Sequence, residues 1–298
     1  MSQTSGQGGL FSHPAALAAG AAGLGSALLA LAAMRGFPLG GLLLWLSPLP
    51  LFAAGFGFGV RAILGAVVVS TVALAISVST AGVAIHLAML GVPALLLVAT
   101  AMQPGRMELS LPLALLGLWP VVVLVMLALF VPDLEDEMRL AVESGLRRMG
   151  MDLPDGMVAQ ITQVKAAAAG FWVALLMLGN GIAAQLLLAR RGLALLPTPS
   201  LEGVRLPSWY LPLPAAALAF WAIAGGAVAL SSLLLLLVPV FLLGVFGVHR
   251  RLRGRAGRVA FLAGFYVLML LFLQVMAPLM VGVGLFDQYR RQSMPPQT

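Results

Sequence analysis

Long apolar runs, separated by short polar connections, occupy almost the whole chain. A bilayer core takes about 20 apolar residues per helix, and nine runs reach or nearly reach that length. The runs cover residues 14–34, 38–60, 62–79, 82–102, 111–131, 164–189, 211–230, 232–248 and 259–283. The pattern predicts an all-α membrane protein, a bundle of eight or nine transmembrane helices.

Two places in the pattern leave the number of crossings open. The second run is interrupted by Ser47-Pro48-Leu49-Pro50. Because proline has no backbone N–H, the helix is expected to be broken or re-entrant there. The seventh and eighth runs are separated only by residues 230–231. Eight crossings and nine crossings therefore both agree with the pattern.

The polar segment 132–163, between the fifth and sixth spans, has a helical pattern of its own. Its apolar residues recur every fourth position, as in one stripe of an amphipathic helix: Leu134, Met138, Val142 and Leu146. Glu135 with Arg139 and Glu143 with Arg147 stand at the i,i+4 spacing of helical ion pairs. We expect this interfacial helix to be either a solvated connector or a lid over an outward-facing cavity.

The pattern divides the chain into five segments. They are a disordered tail (1–12), spans one to five (13–131), the polar linker (132–163), spans six to nine (164–285) and a polar C-terminal tail (286–298). Residues 1–12 carry no basic charge, and the apolar run that follows is long enough to span. This favours an uncleaved first helix over a signal peptide.

The composition agrees with a membrane location and excludes other classes. Hydrophobic residues make up 61% of the 298 residues and charged residues only 9%, against about 25% in a soluble domain. A soluble enzyme, a nucleic-acid-binding domain and a disordered protein are therefore excluded. The net charge of +7 arises at the ends of apolar runs, where it orients helices in a bilayer. The predicted partner is thus the lipid bilayer and not a nucleic acid.

Alternating the connections between the two sides of a membrane predicts an orientation. One side receives residues 249–258, which hold five arginines. The acid-rich linker and the C-terminal tail fall on the other side. The positive-inside rule then predicts a cytoplasmic N-terminus and an outer C-terminus, unless a re-entrant second run reverses everything before the third span.

The residues that catalysis would need are missing. The chain has no cysteine and its three histidines are isolated, so no thiolate or histidine metal site is expected. No Walker-type nucleotide loop occurs, and Lys165, at the entrance of the sixth run, is the one charged residue inside the runs. This disfavours proton-driven transport, whereas sodium sites built from carbonyls and hydroxyls remain open. We expect no enzymatic activity, no cofactor and no metal.

Besides serines and threonines, four polar side chains fall inside the runs: His86, Asn180, Gln185 and Gln274. In lipid each needs a hydrogen-bond partner, either on a neighbouring helix or in a cavity. If they line a cavity, the candidate ligand-binding residues are His86 and Asn180, together with Pro48 and Pro50 beside the helix break.

The first run carries small residues at a spacing of four, namely Ala15, Ala19 and Gly23. Small faces of this kind let two helix backbones approach closely. They either pack inside the protein or form a docking face for a partner protein in the membrane.

Several motifs, taken in order, resemble the YybS-like family of bacterial membrane proteins, a domain of unknown function. They are Leu46-Ser-Pro-Leu-Pro50-Leu, the glycine-rich region 55–61, Asn180 followed by Arg190-Arg191, Leu206-Pro-Ser-Trp209, and Gly284-Leu-Phe-Asp287-Gln-Tyr289-Arg290-Arg291. The resemblance covers nearly the whole chain. It implies a multi-pass protein of the bacterial inner membrane without an assigned activity.

The N-terminal six-helix half is also similar to the substrate-binding components of energy-coupling-factor vitamin transporters. That similarity implies a first helix that docks on a partner and a pocket near the outer face. One hypothesis is therefore a substrate-binding or transporter-like component for a small molecule, lacking its own ATPase. The alternative is a structural or regulatory membrane protein that acts through partner proteins. The first needs a pocket lined by a few polar groups, and the second predicts a tightly packed bundle.

Overall fold

The structure is a computed structural model that describes residues 13–201 and 203–292, and it is mostly helical. Its helices are α1 (Pro14–Met34), α2 (Gly40–Leu46), α3 (Pro48–Phe58), α4 (Val60–Ala75), α5 (Thr80–His86), α6 (Val92–Ala101), α7 (Ser110–Phe130), α8 (Leu134–Arg148), α9 (Asp155–Arg190), α10 (Pro212–Ala224), α11 (Ala227–Arg251), α12 (Arg258–Leu271) and α13 (Leu273–Gln292). Strands β1 (Met102–Gln103) and β2 (Arg106–Met107) form a short antiparallel hairpin. The predicted all-α class is confirmed. The predicted tail 1–12 lies outside the described residues.

Six helical segments of the described chain are long and apolar enough to cross a membrane. They are α1, α2 with α3, α5 with α6, α7, α9 and α11. Helices α12 and α13 pass the same test only as a pair, bent by 120°. The protein is therefore a multi-pass helical membrane protein. The predicted eight or nine crossings are not reached by this measure, because α4 and α10 have only 16 and 13 residues, about 24 and 20 Å of helix.

The chain folds into two compact units. Unit 1 contains the described part of Met1–Glu108 together with Leu175–Pro199, and unit 2 contains Leu109–Ala174 with the described part of Ser200–Thr298. Helix α9 contributes its first part to unit 2 and its last part to unit 1. The division therefore does not follow the polar linker.

In unit 1, α1 packs closely against α4 at its small residues. A Cβ atom on Gly23 would lie 2.5 Å from the carbonyl oxygen of Ala66, so this approach requires glycine. One turn earlier, Ala19 is buried against Gly65. The small-residue face of the first run thus brings two helices of the same chain together.

Helices α5 and α6 are joined by a π-helical turn, Leu87–Gly91, within the continuous segment Thr80–Ala101. Pro93 follows this turn and has no N–H to donate to the carbonyl of Met89, which favours an irregular turn directly before it. Such turns inside α-helices are frequent at functional sites. Here the turn begins immediately after His86.

In unit 2, helix α8 forms where the pattern predicts the amphipathic helix. Val142 and Leu146 of the predicted stripe are buried and pack with Val158, in the first turn of α9, and with Leu153, just before that helix. The apolar stripe of α8 therefore faces protein and not solvent.

The predicted pair of Glu135 with Arg139 is wrong. Glu135 Oε1 instead accepts hydrogen bonds from the backbone N–H groups of Ala227 (2.7 Å) and Val228 (3.2 Å), at the start of α11. Arg139 Nε lies 3.0 Å from Glu143 Oε1, so Glu143 pairs with Arg139 instead of Arg147. A carboxylate at the positive end of a helix is stabilised by the helix dipole. Helix α8 is thereby joined by hydrogen bonds to the start of α11.

Helices α11 and α13 meet backbone to backbone. A Cβ atom on Gly244 would overlap the Met280 carbonyl group, and one on Gly284 would overlap the Val240 carbonyl group. Two glycines, one on each helix, therefore form the crossing, as in close-packed membrane helix pairs.

The same contacts give the relative direction of α11 and α13. Gly244 lies at the level of Gly284, and Gly247 lies at the level of Asp287. Residue numbers thus rise together along the two helices, which are parallel. The end of α13 therefore lies beside the end of α11.

This arrangement corrects the predicted topology at the C-terminus. Residues 259–283 do not form one straight helix, because the helix breaks at Phe272 and turns by 120°. The carboxylate of Asp287 lies 2.6 Å from the guanidinium of Arg250, although the pattern places these residues on opposite sides. Residues 286–292 of the predicted tail continue α13, and residues 293–298 lie outside the described residues.

Single cysteines introduced at Arg255 and Arg290 are expected to react with an impermeant maleimide from the same side of the membrane. A cysteine at Arg147, in α8, is expected to react from the opposite side. The reason is that α8 is fastened to the start of α11, whose 25 residues extend for about 37 Å. The cysteine-free chain is the background. Labelling of Arg255→Cys and Arg290→Cys from opposite sides would contradict the parallel arrangement.

Candidate functional site

The predicted helix break lies between α2 and α3. Pro48 occupies the first position of α3, where a missing N–H is tolerated. Neither Pro48 nor Pro50 can donate to the carbonyls of Leu44 and Leu46, one turn back. The Ser47 N–H donates to the Leu44 carbonyl instead, at 3.2 Å. The hydrogen-bond ladder is thus interrupted at Ser47, but Ser47 keeps helical dihedral angles (φ −56°, ψ −36°) and Gly40–Phe58 continues as one 19-residue span, so the expected broken or re-entrant helix is wrong.

Asn180, on α9, forms a hydrogen bond with the backbone beside the α2–α3 junction. Its Nδ2 donates to the carbonyl oxygen of Trp45 (2.7 Å) and to that of Leu176 (2.8 Å) in its own helix. The next residue, Gly181, lies against the ring of Phe52 in α3. Asn180 therefore meets the segment before Pro48 through the Trp45 carbonyl, and its role in a site shared with Pro48 and Pro50 stays a prediction.

Helix α1 supplies the other side of this junction. The hydroxyl oxygens of Ser26 and Ser47 are 3.5 Å apart, and both residues are fully buried. Gly25 lies 3.7 Å from the ring of Pro50, measured from a Cβ position built on its backbone. The junction is therefore a packed polar centre within unit 1.

His86 lies elsewhere in unit 1, at the end of α5, and is 1% exposed. Its Nε2 is 3.3 Å from Ser70 Oγ, and that hydroxyl donates to the Val67 carbonyl at 2.9 Å. The hydroxyl therefore accepts from Nε2–H, which makes Nδ1 the unprotonated nitrogen. Among the described residues, Nδ1 has no hydrogen-bond partner. His86 and Asn180 have different hydrogen-bond partners, Ser70 and the Trp45 carbonyl.

The other two predicted polar residues differ in their surroundings. Gln185 is buried, and its Nε2 donates to the Leu196 carbonyl at 2.9 Å, while its Oε1 has no partner among the described residues. Gln274, near the start of α13, is exposed. Only Gln185 therefore adds an unpaired acceptor to unit 1.

The predicted docking face on α1 is partly covered by the same chain. Ala19 and Gly23 are covered by α4 of the same chain, and Ala15 is half-buried. The close contacts of Gly23 leave no room for a second helix at that position. Ala19 and Gly23 therefore pack against α4, and a docking role for Ala15 stays a prediction.

Unit 2 contains a polar cluster that the sequence reasoning missed. Asp287 is 8% exposed and lies 2.6 and 2.7 Å from the guanidinium groups of Arg250 and Arg251. Gln288 bonds the Leu206 backbone in both directions, accepting from its N–H at 3.0 Å and donating to its carbonyl at 2.9 Å. The sequence signal for this cluster was a single acid, Asp287, among several arginines near the end of the chain.

Tyr210 anchors the segment before α10. It is fully buried, and its hydroxyl donates to the Leu236 carbonyl in α11 at 3.0 Å. Burial raises the pKa of the phenol above its ordinary value, so Tyr210 stays a neutral hydrogen-bond donor. Its neighbour in this contact is Gly117 of α7, where a Cβ atom would lie 2.7 Å from the hydroxyl.

The described residues contain no group of three or more His, Cys, Asp or Glu side chains able to hold a metal ion. No protein-family model, curated protein or solved structure matches the chain. The resemblance to the YybS-like family and the similarity to vitamin-transporter components therefore stay predictions.

Proposed function

We propose that the chain is a substrate-binding or transporter-like component of the bacterial inner (plasma) membrane, which holds a small molecule in unit 1 and lacks its own ATPase. Multi-pass helical architecture supports the membrane part of this proposal. The ligand would be a molecule with a hydrogen-bond donor, because the unpaired polar atoms available to it are acceptors. A partner protein would supply any energy that transport requires.

The unpaired Nδ1 of His86 is the observation that carries the proposal. A buried acceptor left without a donor costs about 1–3 kcal/mol, and such groups in native proteins need a reason. A ligand donor at Nδ1 would remove that cost. The π-helical turn that follows His86 supports the same location, because such turns often mark functional sites.

The interrupted hydrogen-bond ladder at Ser47 supports a binding role in a second way. Carbonyls that lose their helical donors at membrane depth need partners from neighbouring residues or from a ligand. Asn180 uses Nδ2 to hold the Trp45 carbonyl. We therefore assign Asn180 a positioning role beside Pro48 and Pro50, and His86 the ligand contact.

The proposal counts eight crossings followed by the re-entrant pair α12 and α13. The Arg35 guanidinium donates to the Ser77 carbonyl at 3.2 Å, so the chain after α1 and the chain after α4 are on one side. If α2 with α3 crosses the membrane once and α4 crosses it back, the chain after α4 returns to the side of Arg35, as this contact requires. The eight crossings include the short helices α4 and α10, which would span by thinning the bilayer locally.

The test is ligand identification on the purified protein, comparing His86→Gln with His249→Gln. Glutamine keeps a polar group at the position of Nε2 but removes Nδ1. We expect mass spectrometry of the denatured wild type to find a stoichiometric small molecule. Its occupancy should fall about tenfold in His86→Gln, the equivalent of one lost hydrogen bond.

His249→Gln is the matched control, since it makes the same substitution at a histidine of unit 2, outside the proposed site. It should keep most of the ligand. A wild-type protein that is empty, or a ligand that His86→Gln retains in full, would refute the binding role at His86.

The alternative is a structural or regulatory membrane protein that acts through partner proteins. It is favoured by the internal use of polar groups, since Asn180 and Gln185 donate to backbone carbonyls of the same chain. An empty wild type that co-purifies with a defined membrane protein would favour this function.

A further inference from the structure

The ends of α11 and α13 form a strongly basic region of unit 2. Residues 249–291 contain seven arginines and a single acid, Asp287. The arginines are Arg250, Arg251, Arg253, Arg255, Arg258, Arg290 and Arg291. We call residues 249–258, which hold five of them, the basic loop.

One carboxylate cannot neutralise this charge. Asp287 is shared between Arg250 and Arg251, at 2.6 and 2.7 Å, so this cluster alone keeps a net positive charge. These two ion pairs anchor the basic loop to α13. Arg255 and Arg258, in the loop and at the start of α12, are exposed.

Helix α12 fixes the level of the basic loop in the membrane. Its apolar side chains are widely exposed, with Val259 at 82% and Leu270 at 83%, and Met269 is its one buried residue. Water would not tolerate such a surface along a whole helix, whereas lipid chains cover it. Arg258, the first residue of α12, therefore lies where hydrocarbon ends and headgroups begin.

We propose that the basic loop binds the phosphate headgroups of anionic phospholipids. Guanidinium groups bind phosphate oxygens bidentately, and arginine clusters beside membrane helices attract anionic lipids. The acyl chains of the same lipid would cover the apolar side chains of α12. A nucleic acid would satisfy the charge but not the exposed apolar surface next to it. This site is in unit 2, so the proposal is independent of the ligand proposed at His86.

The experiment is native mass spectrometry of the full chain in detergent with equal amounts of phosphatidylglycerol and phosphatidylcholine. The wild type should retain phosphatidylglycerol in preference to phosphatidylcholine. The double variant Arg255→Gln/Arg258→Gln should reduce that preference about tenfold. Arg147→Gln/Arg148→Gln, on α8, loses the same charge away from the basic loop and should keep the preference.

Two outcomes would overturn the proposal. If the wild type and the Arg255→Gln/Arg258→Gln variant prefer phosphatidylglycerol equally, the arginines do not bind the headgroup and only orient the helices in the membrane. Displacement of the lipid by millimolar inorganic phosphate, but not by chloride of equal ionic strength, would identify a free-anion site. Retention of the lipid in that competition, together with its loss in the variant, supports the lipid site.

Discussion

Replacing Gly284 with leucine is expected to prevent stable folding of unit 2. A Cβ atom at Gly284 overlaps the Val240 carbonyl group, and a backbone group cannot move aside as a flexible side chain does. Overpacking costs about 1–3 kcal/mol in ordinary cores and occasionally more. Because backbone meets backbone here, we expect about 3 kcal/mol or more. The measurement is the yield of monodisperse protein in mild detergent and its apparent Tm.

Gly282→Leu is the matched control on the same helix. Gly282 is exposed and has no atom within 4 Å of a Cβ position, so leucine there should face lipid. Its yield and Tm should stay close to those of the wild type. If both variants lose stability equally, the α11–α13 crossing is not the cause.

Replacing Asp287 with asparagine is the second change with a large expected effect. Two arginines then lose their shared carboxylate, and breaking a buried ion pair costs about 3–5 kcal/mol. The side chains of Arg250 and Arg251 are 25% and 47% exposed, so water compensates in part. We therefore expect about 2 kcal/mol, seen as a lower apparent Tm in detergent.

Asp155→Asn removes the same charge at a different place in unit 2. The side chain of Asp155 is 96% exposed and lies 3.5 Å from Arg139. Exposed pairs of this kind contribute less than about 1 kcal/mol, so the Tm should hardly change. An Asp287→Asn variant as stable as Asp155→Asn would show that the Arg250 and Arg251 contacts add nothing to stability.

The sequence predicts those parts of the fold that depend on local chemistry. Apolar runs give the long helices, the amphipathic stripe gives α8, and Pro48 interrupts the hydrogen-bond ladder between α2 and α3. In each case the cause lies in the residues of the element itself. The turn at Phe272 is different, because an unbroken apolar run covers it and Pro278 comes six residues later. That turn depends on where α13 packs.

The candidate site was predictable to a similar extent. Asn180 was a reasonable candidate because lipid forces an amide to find partners, and its partner is beside the predicted break. The unpaired state of His86 Nδ1 depends on the Ser70 hydroxyl, 16 positions away in sequence, which periodicity does not reveal. Asp287 was assigned to a tail because its neighbours are polar. Its burial follows from the glycine crossing, a tertiary contact.

The bond from Glu135 to the start of α11 also has a consequence for biosynthesis. The Gly225-Gly226 turn, with φ of +67° and +81°, offers no side chain to cap α11. Its cap is 92 residues earlier in the chain. At roughly 5–20 residues per second, that carboxylate leaves the ribosome about 5–18 s before Ala227 does. Helix α11 thus inserts next to a segment that is already made, and the older helix fixes where the younger one begins.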